Sequence, residues 1–478
     1  MFMRMLYDEN LAQAAYLLGC QRSGEAIVFD PERDVDRYID LAKREGLRIV
    51  AVAETHIHAD FLSGARELAE RVGARVYVSG EGAPDWTSRW LDKKSGGGAY
   101  DHVVLKDGDV FAVGNIEFRV LHTPGHTPEH ICYLVTDRGS GATEPLGVIT
   151  GDFLFVGDLG RPDLLETAAG QSGMAESSAR TLYKTVGRIG AIPEFAQVWP
   201  AHGAGSACGK ALGAVPMSTI GYEKRFNPAV LAAVGERPFV DFILADQPEP
   251  PLYFARMKRQ NRDGPAVLGK LPVPKKLTAD DLRRLDTAST ALIDARPWAA
   301  YRAGHVPGAM FHPYNSSFVT DVGSMVGESE PMVLLIDERF LDAAIRDLVR
   351  IGLDNIVGWA APDACEGYRS AGGPVATTEE VDIAEARRRA GAGTVTLLDV
   401  RRATEFAVGH VPGAVNIAHT RLAGELAKVP KDRPVLVNCK GGGRSARACA
   451  LLQRHGYTVA NLGGGFTAWE SGGGEVVK

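Results

Sequence analysis

Histidine and aspartate side chains follow short apolar runs at four places in the first half of the chain. Segments 55–60 (THIHAD) and 122–127 (HTPGHT) each come directly after such a run, and Asp152 and His202 follow two more within a few residues. A single histidine is more often a surface or core residue without a catalytic role. The carboxyl ends of strands in an α/β sheet meet at one edge, however, and imidazole and carboxylate groups are common metal ligands. The pattern therefore predicts a metal site.

A second candidate site lies near the C-terminus. Residues 439–445 (CKGGGRS) separate an apolar run from a helical stretch. Backbone N–H groups and the positive end of a helix dipole favour thiolate over thiol. The glycines let the loop curl, and its lysine and arginine add positive charge for an anionic sulfur substrate. A buried cysteine on a glycine turn is the alternative. We take Cys439 and Arg444 as candidate catalytic residues, and Lys440, Gly441, Gly442, Gly443 and Ser445 as candidate substrate-binding residues.

Two motifs recur in the second half of the chain in one register. Asp294 and Gly304 open the sequences DAR and GHVPGA, and the matching DVR and GHVPGA begin 105 positions later at Asp399 and Gly409. This period is too long for a solenoid and suits two tandem small domains. Strand-like runs alternate with helical stretches in both copies, which predicts parallel α/β sheets. The first copy has Asp337 in place of the cysteine, so we expect it to be catalytically silent.

A proline-rich segment, 246–251 (DQPEPP), separates the histidine-rich half from the repeat. At roughly 100 to 200 residues per domain, the 478 residues fit about three domains. We therefore predict a first domain over 1–245, a basic linker over 246–275, a degenerate repeat over 276–375 and a complete repeat over 376–478.

The composition is that of an ordinary globular protein, with 45% hydrophobic and 23% charged residues and a net charge of -6. This charge argues against a nucleic-acid surface. Six cysteines are too few for a disulfide framework in a chain of this length. The N-terminus lacks a signal-peptide pattern, and no apolar run is long enough for a membrane helix. We expect a soluble cytoplasmic protein with no nucleic-acid or membrane partner.

The histidine-rich half resembles the metallo-β-lactamase superfamily, whose signature is a histidine-rich loop followed by His, Asp and His at later strand ends. This resemblance implies an αββα sandwich. Hydrolases of this superfamily usually carry a further histidine directly after the aspartate that is here Asp60, and it helps to bind a second zinc ion. Phe61 stands at that position, and a phenyl ring cannot coordinate a metal. We therefore expect one metal ion per chain.

The same half is similar to the persulfide dioxygenase branch of this superfamily. The similarity implies that one Fe(II) is bound by His56, His126 and Asp152, a 2-His-1-carboxylate set typical of non-haem oxygenases. It also implies that the metal ligands or the substrate are held in place by His58, Asp60 and His202. Arg161 lies in a segment (GRPD) that also resembles this branch and is a candidate for substrate binding, although an ion pair with Asp163 is the simpler interpretation.

The last hundred or so residues resemble the rhodanese family of sulfurtransferases, through the cysteine loop, the two repeat motifs and a later GGGFTAW segment. The resemblance implies that Cys439 carries a persulfide sulfur and that Arg444 helps to bind the anion. Together, a dioxygenase-like domain, a degenerate rhodanese and an intact rhodanese resemble the bacterial persulfide dioxygenase-sulfurtransferase fusions. In such fusions further cysteines take part in sulfur handling, so Cys208, near His202 on a glycine-rich turn, is a candidate catalytic residue.

These resemblances predict oxidation of a thiol persulfide to sulfite with O2, coupled to sulfur transfer that gives thiosulfate. A mononuclear zinc thioester hydrolase of the glyoxalase II type fused to a sulfurtransferase is the first alternative, and a non-catalytic sulfur-binding scaffold is the second. Glutathione, coenzyme A and bacillithiol all remain open as the thiol carrier. Aromatic residues mixed with Arg and Lys near Arg225 suit an anionic carrier, or alternatively a solvated helix face. We expect a homo-oligomer, either a dimer or a tetramer.

Overall fold

The computed structural model describes residues 1–167 and 173–478. These residues form two compact units. The first unit comprises Met1–Lys270 and Val349–Gly352, and the second comprises Leu271–Leu348 and Leu353–Lys478.

Over the described residues, the first unit contains two six-stranded sheets. The first sheet runs in the order of the sequence, with β1 (Phe2–Asp8), β2 (Gln13–Cys20), β3 (Glu25–Phe29), β4 (Arg48–Ala53), β5 (Arg75–Ser79) and β6 (His102–Leu105). The second sheet has the order β12-β11-β10-β9-β8-β7 and comprises β7 (Val110–Val113), β8 (Ile116–His122), β9 (Ile131–Asp137), β10 (Gly147–Gly151), β11 (Gln197–Pro200) and β12 (Ser218–Thr219).

Helices follow these strands along the chain. They are α1 (Asp36–Arg44), α2 (Ala65–Val72), α3 (Leu164–Thr167), α4 (Met174–Val186), α5 (Ile220–Phe226), α6 (Pro228–Leu231), α7 (Glu236–Leu244) and α8 (Phe254–Asp263). Single 3₁₀ segments lie at Pro84–Trp86, Arg138–Ser140, Gly187–Ala191 and Ala232–Val234.

Alternating side chains explain this layering. Along β2, Tyr16 and Leu18 join the core between the two sheets, whereas Ala15 and Leu17 pack under α1 and α2. The second sheet likewise packs its other face against α4 and α7. Because side chains of a strand point alternately to its two faces, each sheet contributes to two cores. The predicted αββα sandwich is confirmed.

The packing between the two sheets predicts how a core substitution changes the free energy of unfolding. Phe118 is fully buried, and its ring centroid lies 5.2 Å from that of Phe29 and 5.1 Å from that of Phe111. We expect Phe118→Ala to destabilise the first unit by about 3–5 kcal/mol. Calorimetry of the full chain measures this as a lower transition temperature. Phe195→Ala, at a ring that is 60% exposed, is the control and should change little. Equal shifts in both variants would contradict this assignment of the core.

The second unit contains two five-stranded sheets over the described residues. The first has the order β13-β17-β16-β14-β15 and comprises β13 (Lys275–Lys276), β14 (Ala291–Asp294), β15 (Met310–Phe311), β16 (Met332–Leu335) and β17 (Ile356–Ala360). The second has the order β18-β22-β21-β19-β20 and comprises β18 (Glu379–Val381), β19 (Thr396–Asp399), β20 (Val415–Asn416), β21 (Val435–Asn438) and β22 (Val459–Leu462). All pairs within both sheets are parallel, and the shared topology confirms the repeat.

Helices alternate with these strands. In the first repeat they are α9 (Ala279–Arg283), α10 (Trp298–Ala303), α11 (Phe318–Met325), α12 (Leu341–Arg350) and α13 (Ala364–Ser370). In the second repeat they are α14 (Ile383–Gly391), α15 (Ala403–Val408), α16 (Leu422–Glu425), α17 (Gly443–Arg454) and α18 (Gly465–Ser471). Short 3₁₀ segments lie at Glu338–Phe340 and Leu426–Lys428.

The repeated motifs have a structural cause. In the second repeat, the Arg401 guanidinium pairs with Asp399 at 2.6 Å and donates to the carbonyl of Gly409 at 2.8 Å. The first repeat has the same arrangement, with Asp294, Arg296 and the carbonyl of Gly304. The two recurring sequence motifs thus meet in each copy, where the ion pair at the end of one strand anchors the following turn.

Candidate active sites

The metal site is built at the carboxyl ends of strands from both sheets of the first unit. His56 follows β4, His126 follows β8, Asp152 follows β10 and His202 follows β11. One ligand atom from each of His56, His126 and Asp152 lies within 4.8 Å of the others, and all three side chains are buried. The structure thus brings together the three residues that the sequence proposes as ligands.

Hydrogen bonds orient the two imidazoles of this set. Nδ1 of His126 lies 3.0 Å from the carbonyl oxygen of Arg161, and Nδ1 of His56 lies 2.9 Å from the Thr55 hydroxyl. Each ring therefore keeps Nε2 for another partner, and Nε2 of His126 lies 3.4 Å from Oδ2 of Asp152. Such contacts to the second ring nitrogen are typical of metal-binding histidines.

The protonation states also suit a cation. Burial lowers the pKa of His126 and, with help from the surrounding histidines, holds the pKa of His56 well below its ordinary value. Burial opposes ionisation of Asp152, but the histidines around it outweigh that effect and lower its pKa. Neither carboxylate oxygen of Asp152 has a hydrogen-bond donor within the described residues. Neutral imidazoles beside a carboxylate without donors are the forms that bind a metal ion.

His58 has a different role. Its Nε2 lies 3.1 Å from Oδ1 of Asp30 and 3.0 Å from Oε2 of Glu54. Burial disfavours the charged ring, but these two carboxylates outweigh it and raise the pKa of His58 well above its ordinary value. His58 is thus tied to Asp30 and Glu54, and one ligand atom from each of these three residues lies within 4.8 Å of the others. The ring of Phe61 packs against it, with centroids 4.4 Å apart.

Asp60, His202 and Cys208 form a second buried group beside the first, again with ligand atoms within 4.8 Å of one another. Nε2 of His202 lies 3.3 Å from Oδ2 of Asp60 and 3.4 Å from Oδ1 of Asp152, while its Nδ1 contacts the carbonyl of Ala12 at 3.0 Å. Burial and the carboxylates of Asp152 and Asp60 raise the pKa of Cys208 well above its ordinary value. The group contacts the first set through Asp152.

The two arginines proposed for substrate binding both have carboxylate partners. Arg161 is buried and forms a two-pronged ion pair with Asp163, at 2.8 and 2.6 Å. Arg225 lies on the surface, 3.2 Å from Glu194. The Arg161 side chain therefore forms the ion pair with Asp163 that was the simpler interpretation of the sequence. The carbonyl oxygen of Arg161, rather than its guanidinium, contacts the metal site through His126.

The cysteine loop forms the second candidate site. Sγ of Cys439 is buried and lies 3.1 Å from the N–H of Gly442 and 3.4 Å from the hydroxyl of Ser445. Gly442 has a φ of 96°, a left-handed conformation that favours glycine, and it directly precedes α17. The sequence therefore folds here into a turn whose Gly442 amide faces the sulfur at the start of a helix. Lys440, Gly441 and Gly443 complete the turn.

Arg444 is held by Glu405. Its two terminal nitrogens donate to the two carboxylate oxygens at 2.6 and 2.8 Å, and this hydrogen bonding lowers the pKa of Glu405 to about 2. In the first repeat, Asp337 caps the following 3₁₀ segment by accepting a hydrogen bond from the N–H of Arg339 at 3.1 Å. Asp337 therefore has a local structural role, and silence of the first repeat stays a prediction.

Sequence reasoning missed three residues that contact these sites. Nε2 of His130 accepts a hydrogen bond from the N–H of Asp152 at 2.9 Å, and burial lowers the pKa of His130 to about 3. Asn261 of α8 donates to the carbonyl oxygens of His58 and Phe61 at 2.8 and 2.7 Å. The third is Glu405. The sequence carried a signal for two of them. His130 is the third histidine in segment 122–130, and Asn261 continues the helical spacing of Phe254 and Met257, the other buried residues of α8.

Among the described residues, none lies in a helix that is both long and apolar enough to cross a membrane.

The fold and the site define a metal-binding αββα sandwich followed by a rhodanese-like tandem. The family model of the metallo-beta-lactamase superfamily matches residues 9–202, and that of the rhodanese-like domain matches residues 382–472. The solved structure of a metallo-beta-lactamase from Staphylococcus aureus subsp. aureus COL is 40% identical and aligns with a TM-score of 0.67 over 76% of this chain and 99% of that one. The chain belongs to the metallo-β-lactamase superfamily and carries a C-terminal rhodanese domain.

Two further relatives are similar to this chain at lower identity. The persulfide dioxygenase ETHE1, mitochondrial, of Bos taurus is 27% identical over 237 residues, which cover 49% of this chain and 78% of that protein. A hydroxyacylglutathione hydrolase of Gloeobacter violaceus is 31% identical over 188 residues, covering 39% of this chain and 62% of that protein.

Proposed function

We propose that this protein oxidises the outer sulfur of a low-molecular-weight thiol persulfide to sulfite at one iron ion, and then uses Cys439 to convert sulfite into thiosulfate. The observation that carries the proposal is the ligand set of His56, His126 and Asp152, whose carboxylate has no hydrogen-bond donor among the described residues. Burial also lowers the pKa of both imidazoles, which favours the neutral forms that bind metal. His58 is occupied by Asp30 and Glu54, which favours this set over three histidines. The similarity to a persulfide dioxygenase supports the same reaction.

Iron(II) bound there supplies the redox chemistry with O2. The overall step is balanced with one water molecule: the outer sulfur loses four electrons, O2 gains four, and the products are the thiol, sulfite and two protons. The chain contributes orientation. His130 holds the backbone of Asp152, the Arg161 carbonyl orients His126, and Thr55 orients His56. Such contacts fix ligand geometry before substrate binds.

A pocket lined in part by His56 is a candidate position for the body of the thiol. Trp86, Trp90 and Glu129 line it, and Nζ of Lys258 lies 3.6 Å from the centroid of the Trp86 ring. Indole rings beside a cation suit a carrier that combines apolar parts with anionic groups.

The transfer step uses the cysteine loop. The Cys439 thiolate attacks the outer sulfur of a second persulfide, a new S–S bond forms, and the carrier thiolate leaves. Sulfite then attacks the outer sulfur of the Cys439 persulfide, so that thiosulfate is released and the Cys439 thiolate is restored. The N–H of Gly442 and the Ser445 hydroxyl face this sulfur and stabilise the leaving thiolate.

Metal analysis tests the iron site. We expect protein purified without oxygen to bind iron at one equivalent per chain and to consume O2 when glutathione persulfide is added. One ion is expected because Phe61 offers no ligand. Elemental analysis and an oxygen electrode measure both quantities. Two tightly bound zinc ions, together with hydrolysis of a glutathione thioester, would contradict the proposal.

A further inference from the structure

Helix α17, which begins in the cysteine loop, shares its core with the first repeat of the second unit. Ala446 and Ala450 of this helix lie in one cluster with Leu292, Tyr301 and Val333 of the first repeat. The helix that supports Cys439 is therefore packed from both copies, although only one copy carries the cysteine.

Arg447 connects this helix to the first repeat. Its side chain lies within one turn of the loop and donates to the carbonyl oxygen of Gly443 at 3.0 Å. Its Nε lies 2.6 Å from Oδ2 of Asp321, and another nitrogen donates to the hydroxyl of Ser317 at 3.0 Å. Asp321 and Ser317 both belong to the repeat without the cysteine.

Asp321 is itself held firmly. It is 1% exposed, its Oδ1 lies 2.9 Å from Nε2 of His419, and its Oδ2 accepts from the Ser317 hydroxyl at 2.8 Å. Burial opposes its ionisation, but His419 and Arg447 outweigh that effect and lower the pKa of Asp321. Burial lowers the pKa of the nearby His312 to about 4, so that this ring adds no positive charge at neutral pH.

We infer that Asp321 of the first repeat is a positioning residue for sulfur transfer: it fixes Arg447, and Arg447 fixes the Gly443 end of the loop around Cys439. The inference rests on the proposed sulfurtransferase step. A buried guanidinium is strongly destabilised when its carboxylate partner is removed. Without Asp321, we therefore expect the Arg447 side chain to move to other partners and to lose its hydrogen bond to the Gly443 carbonyl. The first repeat then acts as part of the transferase site rather than as a spacer.

The test is Asp321→Asn in the full chain. We expect kcat for sulfur transfer from thiosulfate to cyanide to fall about tenfold, with KM for thiosulfate changed less than about twofold, because the loop is misplaced while the anion-binding groups remain. Arg447→Gln should lower kcat by a similar factor. Because the two residues act through one contact, kcat of the double variant should be no lower than that of the less active single variant. O2 consumption with persulfide should stay at the wild-type rate.

Glu330→Gln is the matched control, because Glu330 pairs with Arg454 at the other end of α17 and also joins the two repeats. It should keep wild-type kcat. Equal losses in the Glu330 and Asp321 variants would overturn the inference in favour of general stability. Should Asp321→Asn fail to fold, Ser317→Ala provides the same test, with an expected loss of about threefold; wild-type kcat in that variant would overturn the inference.

A second readout separates this inference from the proposed function. The rate at which iodoacetamide alkylates Cys439, followed by mass spectrometry, reports the loop without any sulfur transfer. If the wild-type chain transfers no sulfur, the proposed function fails, yet slower alkylation in Asp321→Asn than in Glu330→Gln would still support the positioning role. Equal alkylation rates in wild type and Asp321→Asn would overturn it.

Discussion

We expect His126→Ala to abolish iron binding and to lower O2 consumption at least about a hundredfold. Loss of a residue that only orients a metal ligand typically lowers metal affinity or activity ten- to a hundredfold, and His126 is a proposed ligand itself. His126 is one of only two neutral imidazoles in the proposed ligand set, and the remaining pair of His56 and Asp152 cannot hold a ferrous ion firmly. We expect the same result for Asp152→Ala. Iron content by elemental analysis and the initial rate at an oxygen electrode measure both effects.

The same segment offers a matched control. His122 lies four residues earlier, is partly exposed, and contacts the carbonyl oxygen of Pro128 at 2.8 Å through Nε2. His122→Ala should keep one equivalent of iron and wild-type O2 consumption. If His126→Ala retained iron and activity as His122→Ala does, the ligand set would have to be sought elsewhere, and the group of Asp60, His202 and Cys208 would be the next candidate.

The sequence could predict this site because its signals are local. A histidine or aspartate directly after an apolar run lies at a strand end, and strand ends of the same sheet meet without any need to know the side-chain contacts. That rule accounts for His126 and Asp152, which follow β8 and β10 of the second sheet. His56 follows β4 of the first sheet, and it meets the other two only because the two sheets pack together. The fold class was accessible for the same reason, since the recurring motifs at Asp294 and Asp399 define a local pattern.

The contacts that hold the sites in place could not be predicted in this way. Glu405 and Arg444 are separated by 39 positions and Asn261 and His58 by 203, and no periodicity links the members of such pairs. Helix α8 was also missed, because its polar residues read as a basic linker while only three of its side chains are buried. The charge of Arg225 suggested a role in substrate binding, but the sequence did not indicate its ion pair with Glu194.

The coupling of the two proposed reactions predicts the products. Cys439→Ser removes the only group proposed to carry the outer sulfur, while the ligand set of the first unit is untouched. We therefore expect the variant to consume O2 at the wild-type rate and to release sulfite, where the wild-type chain releases mainly thiosulfate. Ion chromatography of both anions after complete oxidation of a known amount of persulfide measures the ratio.

Cys365→Ala is the control for this product shift. Cys365 lies in the first repeat, and burial raises the pKa of its thiol to about 11, so that little of it is a nucleophile at neutral pH. This variant should still give mainly thiosulfate. Reaction of free sulfite with free persulfide in solution falls as the persulfide is diluted. Thiosulfate at the wild-type proportion in Cys439→Ser, unchanged when the persulfide is diluted, would therefore assign the relay to another thiol of the chain, and Cys208 beside Asp152 would be the one to test.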